Sequence, residues 1–165
     1  ENGVVTGVRG TPEARKLRPK VAEKVKNFPG GVLVTRDTHE ESCLASREGK
    51  ALPVPHCIRG SRGWEICPEL ETLRKEEPVD KPTFGSTGLG EVLRAADQYG
   101  EKIGKITLAG VCTDICVISN ALLLRAFLPE AEIAVDAACC AGVTPDSHQT
   151  ALRAMKACQI TIENE

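Results

Sequence analysis

Residues 105–137 read KITLAGVCTDICVISNALLLRAFLPEAEIAVDA, and the fold class is decided there. KITLAGV is a short apolar run of buried-strand type. TDICVISNALLLRAFL reads as a helix capped by Thr113 or Asp114, and AEIAVDA is a second run of strand length. A strand, a helix and a strand in succession pair the two strands in parallel through a right-handed crossover.

The alternation extends in both directions. TPDSHQTALRAMKAC (Thr144 onward) is a capped helix and QITIENE a closing strand. Upstream, Thr11–Phe28 opens Thr-Pro with Glu13 in its first turn, then places Leu17, Val21, Val25 and Phe28 at helical spacing. GGVLVT (30–35) reads as a buried strand, 68–75 as a short helix, and PVDKPTFGS as an extended segment with a turn. STGLGEVLRAADQYG is a helix expected to end at Gly100 in the left-handed conformation that glycine adopts most cheaply. Alternating strands and helices imply an α/β fold, a three-layer α/β/α domain with a mainly parallel sheet and Rossmann-like topology.

Composition narrows the function. The 165 residues suit a single domain, 1–165, without repeats or linkers. A net charge of -2 from balanced acids and bases points away from nucleic acid and from an anionic membrane, leaving a small molecule as partner. No apolar stretch approaches the roughly 18 residues a membrane span needs, and no secretory leader is evident. The eight cysteines are scattered through an aliphatic chain, so the expectation is a reduced, cytoplasmic protein whose cysteines mostly pack as small hydrophobes. The adjacent Cys139 and Cys140 fit packing better than a vicinal disulfide.

Cys112 ends the strand KITLAGV, and Cys116 falls in the first turn of the following helix. Ligands gather at the carboxyl ends of parallel strands, and a helix N-terminus favours a thiolate. The spacing is wrong for a Cys-x-x-Cys redox couple, no second pair completes a zinc clip, and a disulfide there would distort the turn. A nucleophile and plain packing both remain open. The segment 36–68 has no sustained period, yet it holds two of the three histidines, three cysteines and the only tryptophan. Loops of that length in a compact domain are usually functional or disordered, and this one is rich in ligand types. His148, after TPDS, reads as a capping or packing histidine.

GVCTDICV resembles the nucleophile motif of the isochorismatase-like cysteine hydrolases. VTRDTHEE, LPVPHCIRGSRGWEI and KPTFGS resemble, in order, their metal-loop and lysine motifs. Within that superfamily the likeness is greatest to nicotinamidases, and it runs from about Val5 to the C-terminus. The resemblance implies an amidohydrolase in which Cys116 attacks an amide carbonyl and passes through a thioester. It implies an oxyanion hole from the backbone N–H groups of Cys112 and Cys116, with a cis peptide at Val111-Cys112. Lys81, by itself as well read as a solvated lysine, becomes the active-site lysine that stabilises thiolate and oxyanion. Asp37, His39, Glu48 and His56 become ligands of one divalent metal ion, zinc foremost and iron or manganese as alternatives, with Cys43 as an adventitious neighbour. Phe84 and Trp64 are candidates for the wall of an aromatic substrate pocket, or for core.

The same resemblance implies a step of NAD salvage and a homo-oligomer. A related small-amide or ureido hydrolase is the alternative, and an inactive metal- or ligand-binding relative is another. True isochorismatases lack the cysteine, so Cys116 argues against that branch. The pattern breaks at the start, because aligning ENGVVTG with the family's Val-Asp-x-Gln-Asn-Asp-Phe motif puts the catalytic aspartate before Glu1. The expectation is therefore an N-terminally incomplete domain.

Overall fold

A computed structural model describes residues 11–100 and 102–165, so the expectation placed on Glu1–Gly3 lies outside the described residues. The backbone groups into two compact units, Glu1–Pro82 and Thr83–Glu165.

In the first unit, helix α1 (Pro12–Asn27) is capped by Thr11, whose hydroxyl accepts from the Ala14 N–H at 3.0 Å. Its last turn carries Lys24 and Lys26, favourable at the negative end of the helix dipole. Of the expected apolar stripe only Leu17 is buried, and Phe28 is 43% exposed. Strands β1 (Thr35–Asp37) and β2 (Val79–Lys81) pair in parallel, with Arg36 opposite Asp80 and Asp37 opposite Lys81. The ladder thus begins where the strand expected over 30–35 was to end. Among the described residues Gly30–Leu33 lie outside it and Leu33 is 43% exposed, because a strand's limits are set by its partner, here β2, rather than by its apolar run.

The unperiodic segment is ordered by short pieces. A 3-10 turn (Glu41–Ala45) runs into α2 (Arg47–Ala51), capped by Ser46. Gly49 is required there, since a Cβ would lie 2.2 Å from the Cys43 carbonyl oxygen. Beyond it, His39 and Ile58 form a parallel bridge. The helix expected over 68–75 shortens to α3 (Pro68–Glu71), tied to α1 by an Arg18–Glu69 ion pair.

The second unit opens with α4 (Thr87–Tyr99), capped by Ser86. It ends at Gly100, but with φ -122° rather than left-handed. Close approach to the Ala96 carbonyl, 2.8 Å from where a Cβ would sit, is the physical reason for glycine there. Strand β3 (Lys105–Val111) has the expected bounds. A π turn (Thr113–Val117) then precedes α5 (Ile118–Phe127), where one continuous helix was expected. Strand β4 (Glu132–Ala141) runs through Cys139 and Cys140, which are buried thiols. Helix α6 (Pro145–Ala157) starts with a capping box of Thr144 and Ser147, and β5 (Thr161–Glu163) closes the unit.

These strands form a parallel sheet in the order β3-β4-β5. Leu124, Ile133, Val135, Leu152 and Met155, each at most 2% exposed, are the centre of the core. Each such side chain stabilises the fold by roughly 1.5–3 kcal/mol relative to exposure. The fold is mixed α/β with parallel sheets, and no described helix is long and apolar enough to cross a membrane.

Candidate active site

Parallel pairing of β1 and β2 puts residues of equal register on the same face, and successive residues on opposite faces. Arg36 and Asp80 therefore meet on one face, Asp37 and Lys81 on the other, all at the carboxyl ends of the strands. The Lys81 ammonium donates to Asp37 Oδ1, with Lys81 2% and Asp37 8% exposed. A buried ammonium requires a counter-charge, and the register supplies it.

On the other face, Arg36 Nε and Arg59 Nη1 donate to the two oxygens of Asp80 at 2.8 and 2.9 Å. Burial pushes the Asp80 carboxyl up, but hydrogen bonds from Arg36, Thr38 and Arg59 outweigh it and hold the group below its ordinary range. The Arg36 guanidinium lies 3.4 Å above the Trp64 ring, whose N–H donates to Thr38 Oγ1 at 2.8 Å. Trp64 thereby braces the strand end that carries Asp37.

Downstream of β1, backbone hydrogen bonds from His39 N–H to Cys57 O (3.0 Å) and from Arg59 N–H to His39 O (2.9 Å) draw the two histidines together. His39 Nε2 lies 3.9 Å and His56 Nε2 3.8 Å from Glu48 Oε1. The rings meet edge to face at 4.7 Å. His56 Nδ1 is 2.8 Å from the Val54 carbonyl, which can only accept. The ring proton is thus on Nδ1, leaving the Nε2 lone pair for a ligand. A tetrahedral ion with bonds near ~2.1 Å separates its donors by ~3.4 Å, so small side-chain rotations fit this trio around one metal.

Of the four ligands read from the sequence, the structure brings His39, Glu48 and His56 within 4.8 Å of one another. It directs Asp37 to Lys81, and Cys43 stands outside the trio.

In the second unit the Val111-Cys112 peptide is cis. The Cys112 carbonyl accepts from the N–H groups of Ile115 (3.2 Å) and Val117 (3.0 Å), which closes the π turn carrying Cys116. Such turns inside helices are frequent at functional sites. Side chains hold it from several directions. The buried Thr113 hydroxyl is 2.8 Å from His148 Nδ1. Asp114 accepts from the Val143 N–H at 3.1 and 3.3 Å. Neither residue caps the helix, in contrast to the expectation, because the π turn carries the chain past the capping geometry. Burial lowers the His148 pKa, against a weaker upward pull from Asp114 and Glu165. His148 is thus a packed histidine bonded to the turn.

The sequence reading missed Asn120, whose Nδ2 donates to the Cys116 carbonyl at 2.8 Å. The available signal was a carboxamide one helical turn after Cys116 in the apolar run of α5. All eight cysteines are thiols, with Cys112 and Cys116 half-buried. Phe84 is 39% exposed.

The isochorismatase domain model matches residues 1–164. An isochorismatase family protein of Bacillus subtilis (strain 168) is 32% identical over 101 residues, which cover 55% of this chain and 52% of that protein. The match thus spans about half the length of that relative. Among solved structures, the pyrazinamidase of Pyrococcus horikoshii in complex with zinc superposes with a TM-score of 0.78 at 25% identity, covering 98% of this chain and 92% of that one. A nicotinamidase from Bacillus subtilis superposes at 0.79 and 21% identity, covering 98% and 94%, which speaks to the fold.

Proposed function

The chain belongs to the isochorismatase family, and on that premise we propose that it is a metal-assisted cysteine amidohydrolase, a nicotinamidase that converts nicotinamide and water to nicotinate and ammonia. The carrying observation is Cys116, half-buried in a π turn directly after the carboxyl end of a parallel strand. In this reading the Cys116 thiolate attacks the amide carbonyl carbon. The C–N bond breaks as the leaving nitrogen takes up the proton given up when the thiol ionised and departs as ammonia, and water then cleaves the thioester to the carboxylate, a proton and the free thiol. The N–H groups of Cys112 and Cys116 are assigned to the developing oxyanion, where loss of one donor costs about 2.7–4 kcal/mol.

Lys81 is assigned to stabilise thiolate and oxyanion, with Asp37 as its counter-ion. His39, Glu48 and His56 would hold a divalent metal, zinc by the donor set, and Asp37 is proposed as the further ligand. When bound, such an ion offers a Lewis-acid position that suits a pyridine nitrogen. The proposal extends to a step of NAD salvage in a cytoplasmic homo-oligomer.

The test is ammonia release from nicotinamide by the full-length protein and its Cys116→Ala variant. Turnover in the first and its loss, by at least about a thousandfold, in the second is expected for removal of a nucleophile. Undiminished turnover in Cys116→Ala defeats the assignment. A panel of other small amides and ureido compounds separates nicotinamidase from a related hydrolase, and bound metal without turnover on any of them marks an inactive relative.

A further inference from the structure

Asn120 is 5% exposed on a helix whose other buried residues are Ala121 and Leu124, and a buried carboxamide is costly unless its polar atoms find partners. Asn120 Nδ2 donates to the Cys116 carbonyl at 2.8 Å and to the Phe84 carbonyl at 3.0 Å. Its Oδ1 accepts from the Ser86 N–H at 2.9 Å. Two carbonyls against one N–H leave a single amide orientation, since the flipped form would set oxygen against two carbonyl oxygens. Segment 84–86 lies directly on α5: a Cβ on Gly85 would come within 2.5 Å of Leu123 Cδ1.

We propose that Asn120 is a positioning residue that fixes the Cys116 peptide relative to the Phe84–Ser86 backbone, holding the cysteine turn and the start of α4 in one register. The bond to the Cys116 carbonyl sets the plane of the peptide that follows Cys116. The two bonds to Phe84 and Ser86 set where the half-exposed Phe84 ring stands and seat Ser86, whose hydroxyl accepts from the Leu89 N–H at 3.0 Å. The kinetic consequence rests on the reading of Cys116 as nucleophile and Phe84 as substrate wall. The structural consequence does not.

The test compares Asn120→Ser with Asn120→Leu in the full-length protein. Serine in a helix bonds the carbonyl four residues back, which here is that of Cys116, but cannot reach Phe84 or Ser86. Asn120→Ser is expected to keep the rate of Cys116 alkylation by iodoacetamide and kcat within about threefold, while KM rises about tenfold. Amide exchange at Ser86–Leu89 is expected to speed up about tenfold in the same variant. Asn120→Leu is expected to shift exchange likewise, and also to change the alkylation rate and lower kcat about tenfold. Unchanged exchange at Ser86–Leu89 in Asn120→Ser overturns the proposal, as does an equal effect of serine and leucine on alkylation. If Asn120→Leu does not fold, the exchange and alkylation of Asn120→Ser decide alone. If the wild-type protein turns over no amide, the functional reading fails while those two measurements still judge the role of Asn120.

Discussion

The metal-type trio in the first unit and the cysteine turn in the second both follow the carboxyl end of a parallel strand, yet they are built differently. The loop that presents His39, Glu48 and His56 is drawn together by main chain: a bridge between His39 and Ile58, and the contact of Gly49 with the Cys43 carbonyl. The turn that presents Cys116 is closed by main chain but anchored to its surroundings by the side chains of Thr113, Asp114 and Asn120. Main-chain ties tolerate side-chain changes that leave the backbone path open, which a substitution at Gly49 does not. Side-chain ties fail at single positions, so the two regions call for different perturbations.

The largest effect belongs to the strand pair that precedes the trio. Lys81→Met leaves the Asp37 carboxylate buried beside an apolar chain, and removal of one partner of a buried ion pair typically costs about 3–5 kcal/mol. Urea unfolding should show that loss, and Asp37→Asn added to Lys81→Met should recover part of it, because the penalty lies in the abandoned charge. If Lys81→Met unfolds at the wild-type urea concentration, the pair carries no stability, and the first unit depends on its main chain to an even greater degree.

Next in size is the response to metal. Zinc at about a hundred times its Kd should add about 2.7 kcal/mol to the stability, and a chelator should remove it. His56→Ala should abolish that difference. Amide exchange sharpens the comparison: chelation should loosen His39–Arg59 and leave α5 and α6 as they were. Equal loosening of α5 would mean that the trio does not stabilise its own loop in preference to the rest.

The same contrast explains what could be read in advance. Thr11 and Thr144 mark helix starts by cap chemistry alone, and β3 has the bounds that its apolar run and flanking residues dictate. Strands β1 and β4 slid or lengthened because pairing partners, absent from any local pattern, set their ends. His39 and His56 were legible as residue types in an unperiodic stretch, and Glu48 only through the resemblance of that stretch to the family's metal loop. That Asp37 turns to Lys81 follows from strand register, which a sequence does not display. The π turn was hidden for the same reason: Thr113 and Asp114 look like caps, and only distant partners at His148 and Val143 divert them.

The smallest predicted effect tests the side-chain ties directly. Thr113→Val keeps the shape of a fully buried residue but removes the hydrogen bond to His148, at a cost of about 1 kcal/mol. The histidine in that contact carries a pH dependence of its own. Burial holds the folded His148 pKa below its ordinary value, so the unfolded chain binds the proton more readily. The contribution is therefore fully present above the ordinary imidazole range near ~6.5 and declines as pH falls below it toward the folded value. Asp114 and Glu165 oppose the shift, which keeps the effect small. Urea unfolding of wild type and His148→Gln at pH values on either side of that range should show the wild type losing more stability on acidification. A steeper loss in His148→Gln would show that other groups govern the acid response, and that Thr113, Asp114 and Asn120 hold the turn whatever the charge on the imidazole.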